Sequence, residues 1–194
     1  LVSENSFSAG GSLASVRAFH TATLLPDGNI LAAGGTNGPS VLSSAELFDP
    51  EAERFSSVGS MNRVRNLHTA TLLPNGRVLV AGGFTTNSVS TGSTSSSEIY
   101  YPDSKVFLET TPMISSRSNH TAILLPYGQV FAAGGFGPGD VITGTSEIFI
   151  STQHRWVAAA TMPAGCERAL HSAVQLKTGK IMLIGGVNSG GILD

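Results

Sequence analysis

Charged residues and cysteines are scarce in this chain of 194 residues, and long apolar runs are missing. Aspartate, glutamate, lysine and arginine make up 12% of the sequence and the formal net charge is −2, which provides no basic field for nucleic acid. The single cysteine, Cys166, excludes an internal disulfide framework. No apolar run approaches the roughly 18 residues that a membrane-spanning helix needs. We therefore expect neither a nucleic-acid partner nor a membrane span.

One phrase occurs four times and organises the chain. It places a histidine three positions after an arginine and continues into an apolar run, a glycine-containing turn, a second apolar run and a Gly-Gly pair. The histidines are 48, 52 and 51 residues apart, so the repeat is about 50 residues long. The arginines and histidines of the four copies are Arg17 and His20, Arg65 and His68, Arg117 and His120, and Arg168 and His171.

Each repeat predicts four short strands. In the second copy, the apolar runs 68–73 and 78–81 flank Pro74-Asn75-Gly76, a hairpin signal because proline presets φ while asparagine and glycine accept positive φ. No helical periodicity is present. Radial stacking of such sheets would bury both of their faces, which predicts a β-propeller. The third strand carries a glutamate at Glu46, Glu98 and Glu147, and the fourth an aromatic at Phe55, Phe107 and Trp156.

These features resemble the kelch-repeat propellers, in particular bacterial kelch proteins and the propeller of galactose-oxidase-like proteins. The Gly-Gly pair, the third-strand glutamate and the fourth-strand aromatic all match that pattern. The resemblance implies an all-β, kelch-type β-propeller of four-stranded antiparallel blades. Because one fold hosts many activities, it implies little about function.

The two ends of the sequence leave the ring incomplete. Residues 7–13 match 55–61 in pattern, so we expect residues 1–16 to supply the outer strand of a preceding blade. The last copy provides two strands, which makes three full blades and two partial ones within a single propeller domain, 1–194. The ring is completed either by further blades of a longer chain, which we favour, or by another chain.

The repeated polar residues raise the question of a metal site. Neighbouring blades would hold their histidines too far apart to share an ion at bond lengths of about 2 Å, so we expect no metal and no cofactor. Glu46 precedes Arg65 by 19 residues and Glu98 precedes Arg117 by the same 19. Since buried charges must be paired, this spacing predicts a structural network with ion pairs between blades. Its members are Arg17, His20, Glu46, Arg65, His68, Glu98, Arg117, His120, Glu147, Arg168 and His171.

An enzymatic alternative comes from the resemblance. A galactose-oxidase-like copper site needs a tyrosine just before a first-strand histidine, and here those positions hold Phe19, Leu67, Asn119 and Leu170. A copper oxidase, or another sugar-modifying kelch enzyme, would therefore need catalytic residues outside this segment. We identify no catalytic residue in the sequence and favour a non-catalytic module.

Recognition is expected where the repeats differ. The segments between each Gly-Gly pair and the next third strand vary most in length and composition, and variable loops on a rigid scaffold are the usual place for binding. Their polar and aromatic side chains predict a binding or scaffold module for a protein or a glycan, in a secreted or cell-surface protein. The candidate residues are Asn37, Phe84, Asn87, Phe136, Asp140 and Asn188.

Overall fold

The computed structural model describes the backbone of residues 2–3 and 6–7 and all atoms of residues 10–86 and 92–194. These residues form strands and two short 3-10 turns, Pro126–Gly128 and Pro138–Asp140. In the part of the chain described, no helix is long and apolar enough to cross a bilayer. The strands are β1 (Val2–Ser3), β2 (Ser6–Phe7), β3 (Thr21–Leu24), β4 (Ile30–Ala33), β5 (Ala45–Asp49), β6 (Arg54–Ser57), β7 (Thr69–Leu72), β8 (Val78–Ala81), β9 (Ser97–Tyr101), β10 (Val106–Thr110), β11 (Thr121–Leu124), β12 (Val130–Ala133), β13 (Ser146–Ile150), β14 (Arg155–Ala158), β15 (Ser172–Gln175), β16 (Ile181–Ile184), β17 (Val187–Asn188) and β18 (Gly191–Ile192).

Three four-stranded antiparallel sheets follow one another along the chain: β3–β6, β7–β10 and β11–β14. Each is a meander in which every strand pairs with the next in sequence. The first strands are the innermost, since β3 contacts β7, β7 contacts β11 and β11 contacts β15. The predicted all-β architecture of four-stranded blades is confirmed.

Shorter hairpins occupy the two ends. β1 pairs with β2, and the fourth repeat contributes the pair β15–β16 followed by β17–β18. A Cβ at Gly11 would collide with the carbonyl of Glu53, and one at Gly59 would lie 2.7 Å from the carbonyl of Lys105. Gly11, in the segment before the first blade, therefore lies against the first blade in the same way that Gly59 lies against the second blade. The assignment of that segment to a preceding blade stays a prediction.

Neighbouring blades share two apolar clusters. Leu31 and Leu47 of the first blade pack with Val80 and Tyr100 of the second. The opposite face of the second blade, through Leu79 and Ile99, packs with Val130, Phe149 and Trp156 of the third. Because β8 is covered on both faces, its four residues are at most 2% exposed, which explains its unbroken apolar run.

The Gly-Gly pair lies where two blades approach most closely. Gly34 and Gly35 have φ angles of 64° and 94°, in the left-handed region that favours glycine. A Cβ on Gly34 would lie 2.5 Å from the carbonyl oxygen of Arg65 and 2.8 Å from Cε1 of His68, both in the next repeat. A Cβ on Gly35 would lie 2.9 Å from Cβ of His20. Gly34 is therefore required by packing between blades, and Gly35 by close contact with the first residues of its own repeat.

Gly34→Ala is expected to destabilise the chain more than Gly28→Ala. Both glycines have positive φ, but nothing lies within 4 Å of a Cβ on Gly28. Gly28→Ala therefore adds only the left-handed strain of about 1–2 kcal/mol, whereas Gly34→Ala adds overpacking of about 1–3 kcal/mol more. Urea unfolding of the two variants measures the difference. Equal losses of stability would contradict the assigned close approach.

Candidate functional site

Buried arginine–glutamate pairs hold each blade together. Arg17 pairs with Glu46 at 2.8 Å and Arg65 with Glu98 at 2.8 Å, and all four side chains are at most 2% exposed. The third repeat repeats the contact through Arg117 and Glu147 at 2.7 Å.

The expectation that these pairs join successive repeats is wrong. Glu46 binds the arginine that begins its own repeat, not Arg65. The reason is that the arginine reaches across its own sheet: Arg65 Nη1 donates to the carbonyls of Gly82 (2.7 Å) and Ser96 (3.1 Å). Likewise Glu147 pairs with Arg117, and no carboxylate of the described residues pairs with Arg168.

Each glutamate also fixes the loop that enters its blade. Glu98 accepts hydrogen bonds from the backbone amides of Asn62 (2.7 Å) and Arg63 (3.1 Å). Glu46 accepts from the amides of Ala14 and Ser15 in the same way. Burial alone would raise the pKa of Glu46, but hydrogen bonds from Arg17 and these amides lower that pKa below its ordinary value.

The histidines, not the ion pairs, connect neighbouring blades. Nε2 of His68 lies 2.9 Å from Oγ1 of Thr21, in the preceding repeat. The same contact joins His120 to Thr69 at 3.0 Å and His171 to Thr121 at 2.9 Å. The buried ion pairs of the three full blades therefore lie within blades, and His68, His120 and His171 make the contacts between blades.

These histidines are neutral at physiological pH. Burial, and then the charge of Arg65, lowers the pKa of His68 to about 3. Burial and the charge of Arg168 lower the pKa of His171 to about 4. Nε2 of each is bound to a threonine, and the described residues contain no group of three or more histidine, cysteine, aspartate or glutamate side chains that could hold a metal ion. The donor set does not fit a shared metal, and the arrangement is a structural one.

A cavity of about 320 Å³ opens where the first strands begin. Hydrogen bonds run around it, from Leu67 N to Phe19 O, Asn119 N to Leu67 O, and Leu170 N to Asn119 O, each 3.1 Å. These four non-glycine residues have φ between 49° and 58°, a left-handed conformation that persists only where surrounding contacts impose it. Their side chains, which are one phenylalanine, two leucines and one asparagine, line the cavity together with His20, His68, His120 and His171.

Isolated bridges bring the cavity rim and the variable loops onto one face. Ala18 bridges Thr36, and Asn66 bridges Phe84, with the same pattern in the later repeats. The segments after the second and fourth strands therefore emerge together, and we name them the loop face. It comprises residues 12–20, 34–44, 58–68, 82–86, 92–96, 111–120, 134–145, 159–171 and 185–194.

The candidate binding residues differ in their availability. Phe84 is only 3% exposed, so its ring is not available at the surface for stacking, whereas Phe136 is half-buried. Asn37 and Asp140 are at least partly exposed, and Asn37 Oδ1 accepts from Ser40 N at 3.1 Å.

The side chain of Asn188 shapes its own turn. Its Nδ2 donates to Gly165 O at 3.0 Å, and its Oδ1 accepts from Gly190 N at 2.8 Å. Its polar atoms are therefore engaged in local structure. The remaining candidate, Asn87, lies outside the described residues.

Sequence reasoning missed the apolar side chains of the loop face. Large apolar residues there are 36% to 90% exposed. The signal that would have found them is an isolated apolar residue between the polar residues of a loop, which periodicity does not detect. They are Val16, Phe19, Val64, Ile114, Val141, Leu170 and Ile192.

Glu98→Gln is expected to destabilise the fold by about 3 kcal/mol or more, because it leaves the buried Arg65 guanidinium without its counter-charge. Glu109→Gln is the matched control. It breaks the Arg63–Glu109 pair, whose side chains are 58% and 56% exposed, and should change stability by less than about 1 kcal/mol. Denaturant unfolding compares the two, and equal effects would refute the structural role of the buried pair.

Stability is expected to fall as the pH drops below 6.5, the ordinary histidine value. Since the folded pKa of His68 is depressed, the unfolded chain binds more protons in this window, and each such histidine contributes a slope of about 1.4 kcal/mol per pH unit. His68→Gln should reduce the slope of the unfolding free energy against pH by about the contribution of one histidine. Unfolding free energies measured between about pH 6 and 4.5 test this, and values near pH 8 isolate the packing change. An unchanged slope would contradict burial of a neutral His68.

Comparison with known families agrees with this geometry. Residues 12–62 match the family model described as the kelch motif. A comparison with curated proteins finds no match for the chain. The matched segment spans the first arginine–histidine phrase, the whole sheet β3–β6 and the loop that leads into the second repeat. The chain thus carries a kelch motif at residues 12–62, and its three four-stranded antiparallel sheets are consistent with kelch blades.

Proposed function

We propose that this chain is a non-catalytic binding module that takes a protein partner on its loop face. The observation that carries the proposal is the exposure of apolar side chains on that face: Phe19 is 61% exposed, Val141 66% and Leu170 60%. Exposed apolar groups rimmed by polar residues are typical of protein interaction sites. A kelch-type scaffold is consistent with such a role.

The repeated residues of the blades serve the scaffold, and the variable residues are left for recognition. The repeated charged groups of the three full blades are engaged in ion pairs such as Arg65–Glu98, and His68, His120 and His171 contact threonines of the preceding repeat. Recognition therefore falls to positions that vary between repeats. The residue before each histidine is one of them, because its side chain lines the cavity and changes from Phe19 to Leu67 to Asn119.

A protein partner suits the loop face better than a glycan. Sugar recognition uses exposed aromatic rings for stacking; on the loop face Phe84 is buried, and Phe19 is the one aromatic among the exposed apolar residues named above. The exposed groups are aliphatic at most positions, and aliphatic and aromatic anchors in a partly enclosed centre are characteristic of protein interfaces. No feature of the described residues favours the copper-oxidase alternative.

Phe19→Ser and Leu170→Ser are expected to abolish the binding of peptide ligands selected against this chain. Selection from a displayed peptide library finds the surfaces best suited to protein contact, and each variant removes an exposed apolar anchor without touching the core. We expect each to weaken the selected peptides at least about tenfold, which is 1.4 kcal/mol. Surface plasmon resonance measures the affinities.

Tyr127→Ser is the control, because Tyr127 is 98% exposed and lies in the β11–β12 turn, at the opposite end of the blades. Peptide affinity should not change in this variant. Peptides that bind the two loop-face variants as tightly as the parent chain, and lose affinity for Tyr127→Ser, would refute the proposal.

A further inference from the structure

A cavity of about 450 Å³ lies away from the loop face. It is formed by the turns that follow the first and third strands, where the β3–β4, β7–β8 and β9–β10 turns converge. Its size falls within the range of about 300–1,000 Å³ that small-molecule sites occupy. We call it the turn cleft, and its lining consists of Pro26, Asp27, Pro74, Asn75, Gly76, Arg77, Tyr101, Pro102 and Asp103.

The lining of the turn cleft is specific to the junction of the first and second blades. At the next junction the corresponding cavity is about 240 Å³. The charged and aromatic positions Asp27, Arg77, Tyr101 and Asp103 are replaced there by uncharged side chains. In the same order, these are Asn75, Gln129, Ile150 and Thr152. The repeat framework does not require the charges, since the equivalent turns of the third blade form without them.

The charged groups of the cleft are held in place but not neutralised. The guanidinium of Arg77 lies over the Tyr101 ring, 4.2 Å from its centroid, and no carboxylate of the described residues pairs with it. The Asp27 oxygens accept hydrogen bonds from the backbone and side-chain amides of Asn29, at 3.0 and 2.8 Å. Each carboxylate oxygen keeps acceptor capacity beyond one bond, so the cleft offers fixed acceptors beside a free donor.

The residue that precedes Tyr101 of the cleft carries a buried hydroxyl. Tyr100 is fully buried, and its hydroxyl has no hydrogen-bond partner among the described residues. The equivalent positions in the first and third blades are Phe48 and Phe149, so packing alone does not need the hydroxyl. Tyr100 pairs with Val78, which follows Arg77 in the chain.

Burial, and then the charge of Asp27, raises the pKa of Tyr100 to about 12. The Tyr100 hydroxyl is not part of the cleft lining. It remains protonated at physiological pH, and an unsatisfied buried hydroxyl is unfavourable.

We propose that the turn cleft is a binding site for a neutral saccharide. Carboxylates accept from neighbouring sugar hydroxyls, a guanidinium donates to ring or hydroxyl oxygens, and the proline surfaces cover the C–H faces of the sugar. Two carboxylates repel an anion, and Arg77 repels a cation from the middle of the cleft. A neutral, polyhydroxylated ligand matches this mixture of fixed donors and acceptors.

The test is binding of the whole chain to an array of neutral and charged oligosaccharides, followed by calorimetric titration with the neutral glycans that bind. Asp27→Asn and Arg77→Gln are each expected to weaken binding at least about tenfold, the range for hydrogen bonds to charged groups. Glutamine occupies the equivalent position in the third blade, so Arg77→Gln should fold normally.

Two controls locate the site. Arg155→Gln makes the same change in β14, which does not line the cleft, and should bind as the parent chain does. Phe19→Ser alters the loop face and should also leave glycan affinity unchanged. Failure of every neutral glycan to bind, binding of charged glycans alone, or neutral-glycan affinity that is unaffected by Asp27→Asn and Arg77→Gln would each overturn the proposal.

Discussion

The structure depends on an arginine and a glutamate that are buried together in each full blade. Burying one of these charges alone would cost several kcal/mol, so neither position tolerates loss of the other. Arg65 joins the end of β8 to the loop before β9, while Glu98 binds two amides of the incoming loop. One pair thereby sets three segments of backbone relative to each other. The blade and its connection to the preceding blade become a single unit.

The contacts between blades follow from that unit. Once the loop is fixed, His68 is placed against Gly34 and Thr21 of the preceding repeat, and only glycine leaves enough space there. Burial then keeps the imidazole neutral, which suits a hydrogen bond to a hydroxyl and not a charged or catalytic role. The polar residues most noticeable in the sequence are therefore the ones committed to the scaffold. Chemistry available to a partner lies at positions where the repeats diverge.

The two ends of the blades present different chemistry. The loop face exposes apolar groups such as Phe19 and Leu170 around a cavity, whereas the turn cleft brings unpaired charges together beside Tyr101. The exposed apolar groups of the loop face and the charged groups of the turn cleft both lie at positions where the otherwise repeated framework varies. In an antiparallel meander, alternate connections lie at opposite ends of the sheet. The loops of the loop face and the turns of the turn cleft can therefore vary independently on one scaffold. A protein surface and a saccharide site are compatible on the same rigid body.

By itself, the sequence determined the repeat, the four strands of each blade and their hairpin turns, because these depend on local signals such as Pro74-Asn75-Gly76 and on apolar runs. It also singled out the repeated arginines, glutamates and histidines. Only the tertiary structure decided their partners: Glu46 binds Arg17, not Arg65, since the side chain reaches across its own sheet. Burial of Phe84, exposure of Phe19 and the charges of the turn cleft likewise depend on which segments meet in space, and spacing along a chain does not contain that information.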